Sequence, residues 1–109
     1  MRVITGTARG RRLKELQGME TRPTTDRVKE NVFNLIQDHV RDADVLDLFA
    51  GTGQLGIEAL SRGAAHCDFI EHNGTAYNVV SKNVQTARVQ DRASLHRVEA
   101  RDFLAKAAA

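Results

Sequence analysis

The segment Val45-Leu-Asp-Leu-Phe-Ala-Gly-Thr-Gly-Gln-Leu-Gly56 constrains this chain more tightly than any other. Asp44 to Ala50 is a short apolar run bounded by glycine, the pattern of a buried parallel strand. Gly51 to Gly56 is a glycine-rich turn. Leu55 to Arg62 has helical spacing and is stopped by Gly63, and Cys67 to Ile70 is a second strand ending at Glu71. Together these make a βαβ unit. A helix is expected over 74–88, with Ala76, Tyr77, Val80, Val84 and Ala87 turned inward, followed by a strand from Ser94 to Val98. The tail from Leu104 to Ala109 is helix-prone. Alternating strands and helices imply an α/β fold with a parallel sheet and right-handed crossovers.

Gly51, Gly53 and Gly56 satisfy G-x-G-x-x-G between strand and helix, where small residues let a ligand approach the backbone and a helix N-terminus offers unpaired N–H groups. A dinucleotide would fit this pattern, with Glu71 on the ribose hydroxyls. Asp47 argues for a different ligand. It lies near the end of the first strand, where its carboxylate faces the crevice, disfavours a pyrophosphate and favours a cation. S-adenosylmethionine carries an amino group and a sulfonium, plus a ribose for Glu71. On this reading Asp47 orients the methionine moiety, Gly51 and Gly53 admit it closely, and Glu71 binds the ribose. Each residue also has a packing role open to it: glycines for close contact, Asp47 as a cap or buried structural acid, Phe49 as core or pocket wall.

The chain ahead of this unit is basic. Residues 1–30 hold eight Lys/Arg against four Asp/Glu, and Arg2, Arg9, Arg11, Arg12 and Lys14 precede the first acid, Glu15. Such a cluster attracts phosphates, although it is equally a solvated edge, and it holds no aromatic residue for base stacking. Segments 2–4 and 11–16 flank a small polar run, as in two strands joined by a loop. Pro23, Thr24 or Thr25, and Asp26 supply turn and cap chemistry for an amphipathic helix over about 25–40, whose stripe Val28, Val32, Leu35, Ile36 and Val40 needs a packing partner. At 109 residues the chain is one domain at most, divided here into a basic hairpin (1–20) and the remainder (21–109). Cys67 is the only cysteine, which excludes disulfide frameworks within the chain, and His39, His66, His72 and His96 make no metal pattern. Neither a membrane span nor a secretory leader is signalled, so the expectation is a cytoplasmic protein without a membrane partner.

Three segments resemble the bacterial small-subunit ribosomal RNA guanine-N2 methyltransferases of the RsmD type. They are Arg2-Val-Ile-Thr-Gly with Gly10-Arg-Arg-Leu-Lys14, Thr21-Arg-Pro-Thr-Thr-Asp-Arg-Val-Lys-Glu30 leading into Phe33-Asn34, and Leu46-Asp-Leu-Phe-Ala-Gly-Thr-Gly53 with Glu58-Ala-Leu-Ser-Arg-Gly63. The similarity continues through Glu71 and Asn83 to Val98-Glu-Ala-Arg-Asp-Phe-Leu104. It implies a Rossmann-like class I methyltransferase fold, here carrying about three parallel strands, S-adenosylmethionine as donor, and transfer to the exocyclic amine of a guanine in ribosomal RNA or a small-subunit assembly intermediate. It also implies that Asp47, Phe49, Gly51, Gly53 and Glu71 line the donor pocket, that Glu99-Ala100 faces the adenine, and that Arg22, Thr24 and Thr25 lie beside the pocket. The basic hairpin resembles an RNA-contacting element. The family's catalytic motif, Asp or Asn followed by two prolines and an aromatic residue, needs more than the single Pro23 of these 109 residues, so no catalytic residue is assigned. The chain reads as the N-terminal half of such an enzyme, with one edge of the first strand open and available for self-association. A non-catalytic module binding RNA through the basic face is the second reading, and a dinucleotide-binding half-fold the third.

Overall fold

A computed structural model describes residues 1–16 and 26–108. Helix α1 (Asp26–Val40) leads into β1 (Asp44–Asp47), α2 (Gln54–Ser61), β2 (His66–Ile70), α3 (Gly74–Thr86), a 3-10 turn (Gln90–Arg92), β3 (Ala93–His96) and α4 (Ala100–Ala108). The three strands are parallel in the order β1-β2-β3, with Asp47 opposite Phe69 and Ile70 opposite His96. This is the expected α/β architecture. β1 pairs only with β2 among the described residues. The proposed caps Thr24 and Thr25, with Arg22 and Pro23, lie outside the described residues.

Several element boundaries depart from the sequence reading. β1 stops at Asp47 rather than Ala50, because the chain already bends into the glycine turn. Ala50 stays tied to the sheet by its N–H to the Ile70 carbonyl, 3.1 Å. β3 covers Ala93–His96 and ends two residues early. The helical tail starts at Ala100, where the Glu99 carbonyl accepts the N–H of Phe103 at 3.0 Å.

Cys67 and Phe69 project from one face of the sheet toward α2. A Cβ on Gly56 would run into the Phe69 ring and come within 2.8 Å of Cys67 Sγ, so this glycine permits close helix–sheet packing. Ile57, Leu60, Val80, Val84 and Val89 complete the core on that side. Cys67 is fully buried, and burial raises its thiol pKa far above the ordinary value, as suits a core residue rather than a nucleophile. On the opposite face His66 Nε2 meets Ser94 Oγ and His96 Nε2 meets Asp68 Oδ1, both at 2.9 Å. Phe103 of α4 packs on the His96 ring at 5.0 Å, which brings α4 to that second face.

Helix α1 buries only Val40 of its expected apolar stripe, with Phe33 beside it. Its buried residues are Lys29, Phe33 and Val40, whereas Val28, Val32, Leu35 and Ile36 stay at least 41% exposed. The cause is Glu58, itself wholly buried on α2. Lys29 Nζ lies 3.5 Å from Glu58 Oε1 and donates to the Arg2 carbonyl at 2.7 Å, while Arg62 Nε donates to Glu58 Oε2 at 3.0 Å. An ammonium that finds both a carboxylate and a carbonyl can be buried where an unpaired one cannot. The apolar stripe consequently borders the open edge of β1, where Phe33, Ile36, Val40, Leu46 and Leu55 line a cleft of about 340 Å³.

The N-terminal arm forms the expected hairpin in reduced form: a single antiparallel bridge, Arg2 to Arg12, supported by Val3 N–H to the Arg11 carbonyl (3.0 Å) and Gly10 N–H to the Val3 carbonyl (2.8 Å). It is fastened to α2 instead of extending the sheet. Ile4 and Thr5 donate their N–H groups to Glu58 at 2.9 and 3.1 Å, and Ser61 Oγ accepts from Ala8 N–H (2.9 Å) while donating to the Thr5 carbonyl (2.6 Å). Gly6, at φ 91°, passes so close that a Cβ there would overlap the Ser61 carbonyl.

Candidate functional site

Parallel strands deliver their C-terminal ends to one edge of the sheet, where ligands of open α/β folds bind. Asp47 closes β1 there and Glu71 follows β2. The glycine loop lies between them and is shaped by both acids. Gly51 N–H donates to Glu71 Oε1 at 2.9 Å, and Gly56 N–H to Asp47 Oδ2 at 3.3 Å. Glu71 Oε2 also accepts the Asn73 N–H at 3.0 Å, and Asn73 Oδ1 caps α3 through Ala76 N–H, 3.0 Å. Each Glu71 oxygen keeps a second lone pair for a hydroxyl donor.

Gly51 and Gly53 have φ of 57° and 82°. Nothing lies within 4 Å of a Cβ built on Gly51, whereas one on Gly53 would clash with Val80 of α3. The first glycine therefore opens the loop to a ligand, and the second lets the loop lie against α3.

Asp47 forms no ion pair among the described residues. Burial, the largest influence, raises its pKa above the ordinary 3.8; the Gly56 N–H opposes this, and the charge of Glu71 adds to the rise. A partly desolvated carboxylate beside a second acid is a place for a cation.

The structure thus gathers Asp47, Gly51, Gly53 and Glu71. Phe49 is 80% exposed in the turn after β1. Glu99 and Ala100 stand beyond β3 at the same sheet edge, which Glu71 N–H joins by donating to the His96 carbonyl at 3.0 Å. The Glu99 carboxylate lies 3.4 Å from Arg101. Arg9, Arg12 and Lys14 are exposed and Arg11 is half-buried, while Arg2 pairs with Asp26 at 3.4 Å.

Asn83 has a role its position in an apolar helix face did not announce. Fully buried on α3, it accepts the Lys14 N–H at 2.6 Å and donates to the carbonyls of Lys14 (2.9 Å) and Thr52 (2.8 Å). One side chain therefore clamps the basic arm and the glycine loop together. A polar residue in register with inward Ala76, Val80 and Val84 was the available signal.

The family model described as Conserved hypothetical protein 95 matches residues 1–109. The chain belongs to this family. Among relatives of this Conserved hypothetical protein 95 member, a Bacillus subtilis protein named as a putative rRNA methyltransferase, YlbH, is 47% identical over 99% of the chain and 59% of its own length. Ribosomal RNA small subunit methyltransferase D of Haemophilus influenzae is 42% identical over 95% of the chain and 54% of its own length. The solved structure of Escherichia coli yhhF, described as a putative methyltransferase, superposes with a TM-score of 0.84 at 39% identity, over 96% of this chain and 56% of that one. The chain thus spans between half and three-fifths of the length of these relatives. Its three parallel strands and four helices are a truncated Rossmann-like fold of the class I methyltransferase kind.

Proposed function

We propose that this chain is the donor-binding half of a ribosomal RNA guanine-N2 methyltransferase that uses S-adenosylmethionine. The observation that carries the reading is the pairing of Asp47, without a cationic partner among the described residues, with Glu71 across an open glycine loop. Asp47 would hold the donor's ammonium, Gly51 would admit its chain while Gly53 holds the loop against α3, Phe49 would wall the pocket near the sulfonium, and Glu71 would accept from the ribose hydroxyls. Glu99 and Ala100 would face the adenine. Bound there, the donor supplies an electrophilic methyl group. Holding an acceptor amine in line with that methyl is a positioning task, and the double-proline motif the family resemblance assigns to it has no counterpart in a sequence whose only proline is Pro23.

Residues 1–20 would serve as the RNA-contacting arm, with Arg2, Arg9, Arg11, Arg12 and Lys14 meeting phosphates of small-subunit rRNA or an assembly intermediate, and 21–109 as the donor-binding part. The compartment that fits an rRNA substrate is the cytoplasm; no helix among the described residues is long and apolar enough to cross a membrane.

Calorimetric titration tests the donor site. S-adenosylhomocysteine should bind the chain saturably, and NAD should not. The reverse order of affinities would instead support a dinucleotide half-fold.

The open β1 edge and the apolar residues beside it would also associate with a second copy, since unpaired strand edges template pairing. Sedimentation velocity should show mass rising with concentration over the micromolar range; a fixed monomer mass would exclude this surface as a contact.

A further inference from the structure

We propose that the RNA path continues from the basic arm onto α3, in a groove whose positive wall is Lys14 and Lys82. This rests on the RNA reading above and adds residues to it. Thr75, Asn78, Val79 and Lys82 fall at helical spacing on one face of α3, and with Lys14, Glu15 and Leu16 they line a cleft of about 630 Å³. Neither lysine forms an ion pair among the described residues. Glu15, the one acid in the lining among the described residues, lies 3.4 Å from the N-terminal ammonium. Thr75 and Asn78 add neutral donors to the lining.

Charge elsewhere on the arm is balanced differently. The cleft on its other side contains Arg2 and Arg9 but also Asp26 and Glu30, and Asp26 already holds Arg2. A polyanion following the excess of positive charge is therefore led along Lys14 and Lys82. The groove is also fixed relative to the donor loop, because Asn83, next to Lys82, grips the Lys14 backbone and the Thr52 carbonyl together. Its Thr75 end adjoins the turn that presents Glu71. The groove suits the sugar-phosphate backbone of RNA: cations and neutral donors without an aromatic stacking platform, giving contacts that position a strand without reading its bases.

The test is anisotropy of a fluorescein-labelled RNA stem-loop against this chain over a range of salt. Lys82→Glu and Lys14→Glu should each weaken binding about tenfold at low salt and reduce the salt slope by about one. Lys106→Glu on α4, which changes net charge equally, should leave binding near the wild-type value. A cooperative thermal melt of each variant would establish that it is folded. Wild-type affinity in Lys82→Glu, or an equal loss in Lys106→Glu, overturns the groove while leaving RNA binding intact. Absence of salt-sensitive binding by the wild-type chain overturns the RNA reading together with the groove.

Discussion

Glu58→Ala is expected to remove about 3–5 kcal/mol of folding stability, the characteristic loss when one partner of a buried ion pair is deleted. The deletion leaves the Lys29 ammonium, wholly buried and 3.5 Å from the missing carboxylate, without its counter-charge. It also strands the N–H groups of Ile4 and Thr5, which have no other acceptor in the hairpin ladder. Against a total of roughly 5–15 kcal/mol for a domain of this size, such a loss takes the chain close to unfolding at room temperature. Urea denaturation measures it directly. The double variant Glu58→Leu with Lys29→Met should regain only the part of the loss that comes from the unpaired ammonium, because the N–H groups of Ile4 and Thr5 and the Arg62 guanidinium still lack their acceptor. A single-variant loss under about 1 kcal/mol, the range of a solvated surface pair, would mean that these charges are not buried in solution.

Asp47→Asn should separate stability from binding. The folded pKa of Asp47 lies above its ordinary value of 3.8, so the ionised carboxylate opposes folding at any pH above the folded value. That penalty lifts as pH falls through the folded pKa and is gone below 3.8. Asparagine keeps an oxygen for the Gly56 N–H and carries no charge. Its melting temperature should therefore exceed that of the wild type at pH 7, with the difference vanishing in acid. S-adenosylhomocysteine affinity should fall about 10–100-fold at pH 7, equivalent to losing one charge-assisted hydrogen bond of about 1.5–3 kcal/mol. Wild-type affinity should itself weaken as pH falls through the raised pKa, because the ammonium loses its anion. A variant that gains stability at neutral pH yet binds S-adenosylhomocysteine with wild-type affinity would remove Asp47 from the site while confirming the electrostatic argument. This opposition is the usual one at binding sites, where a group held against its own solvation preference is stabilised by the ligand.

The central βαβ unit and its acids were legible in the sequence because each signal is local. Strand, glycine turn, helix and second strand occupy fewer than thirty consecutive residues, and Asp47 and Glu71 mark the ends of the two strands that a right-handed crossover places side by side. Even within that unit the last residues of the first strand were misread. Apolar Leu48 and Phe49 prolong the pattern although the backbone has already left the ladder.

The fold class, the glycine loop and the pair of acids that flank it thus follow from local patterns along the chain. Tertiary structure alone decided which face of α1 is buried, where the basic arm is anchored and how that arm is joined to the loop. Apolar periodicity pointed α1 inward along Val28, Val32, Leu35, Ile36 and Val40; Val40 is buried, but the other four stay exposed and Lys29 is buried instead. The reason is physical. The free energy of burying an ammonium, a carboxylate or an amide depends on partners far away in sequence: Glu58 for Lys29, the N–H groups of Ile4 and Thr5 for Glu58, and the Lys14 and Thr52 backbones for Asn83. A hydrophobic pattern assigns each residue its own preference for water, and only the folded chain supplies the partner that reverses it.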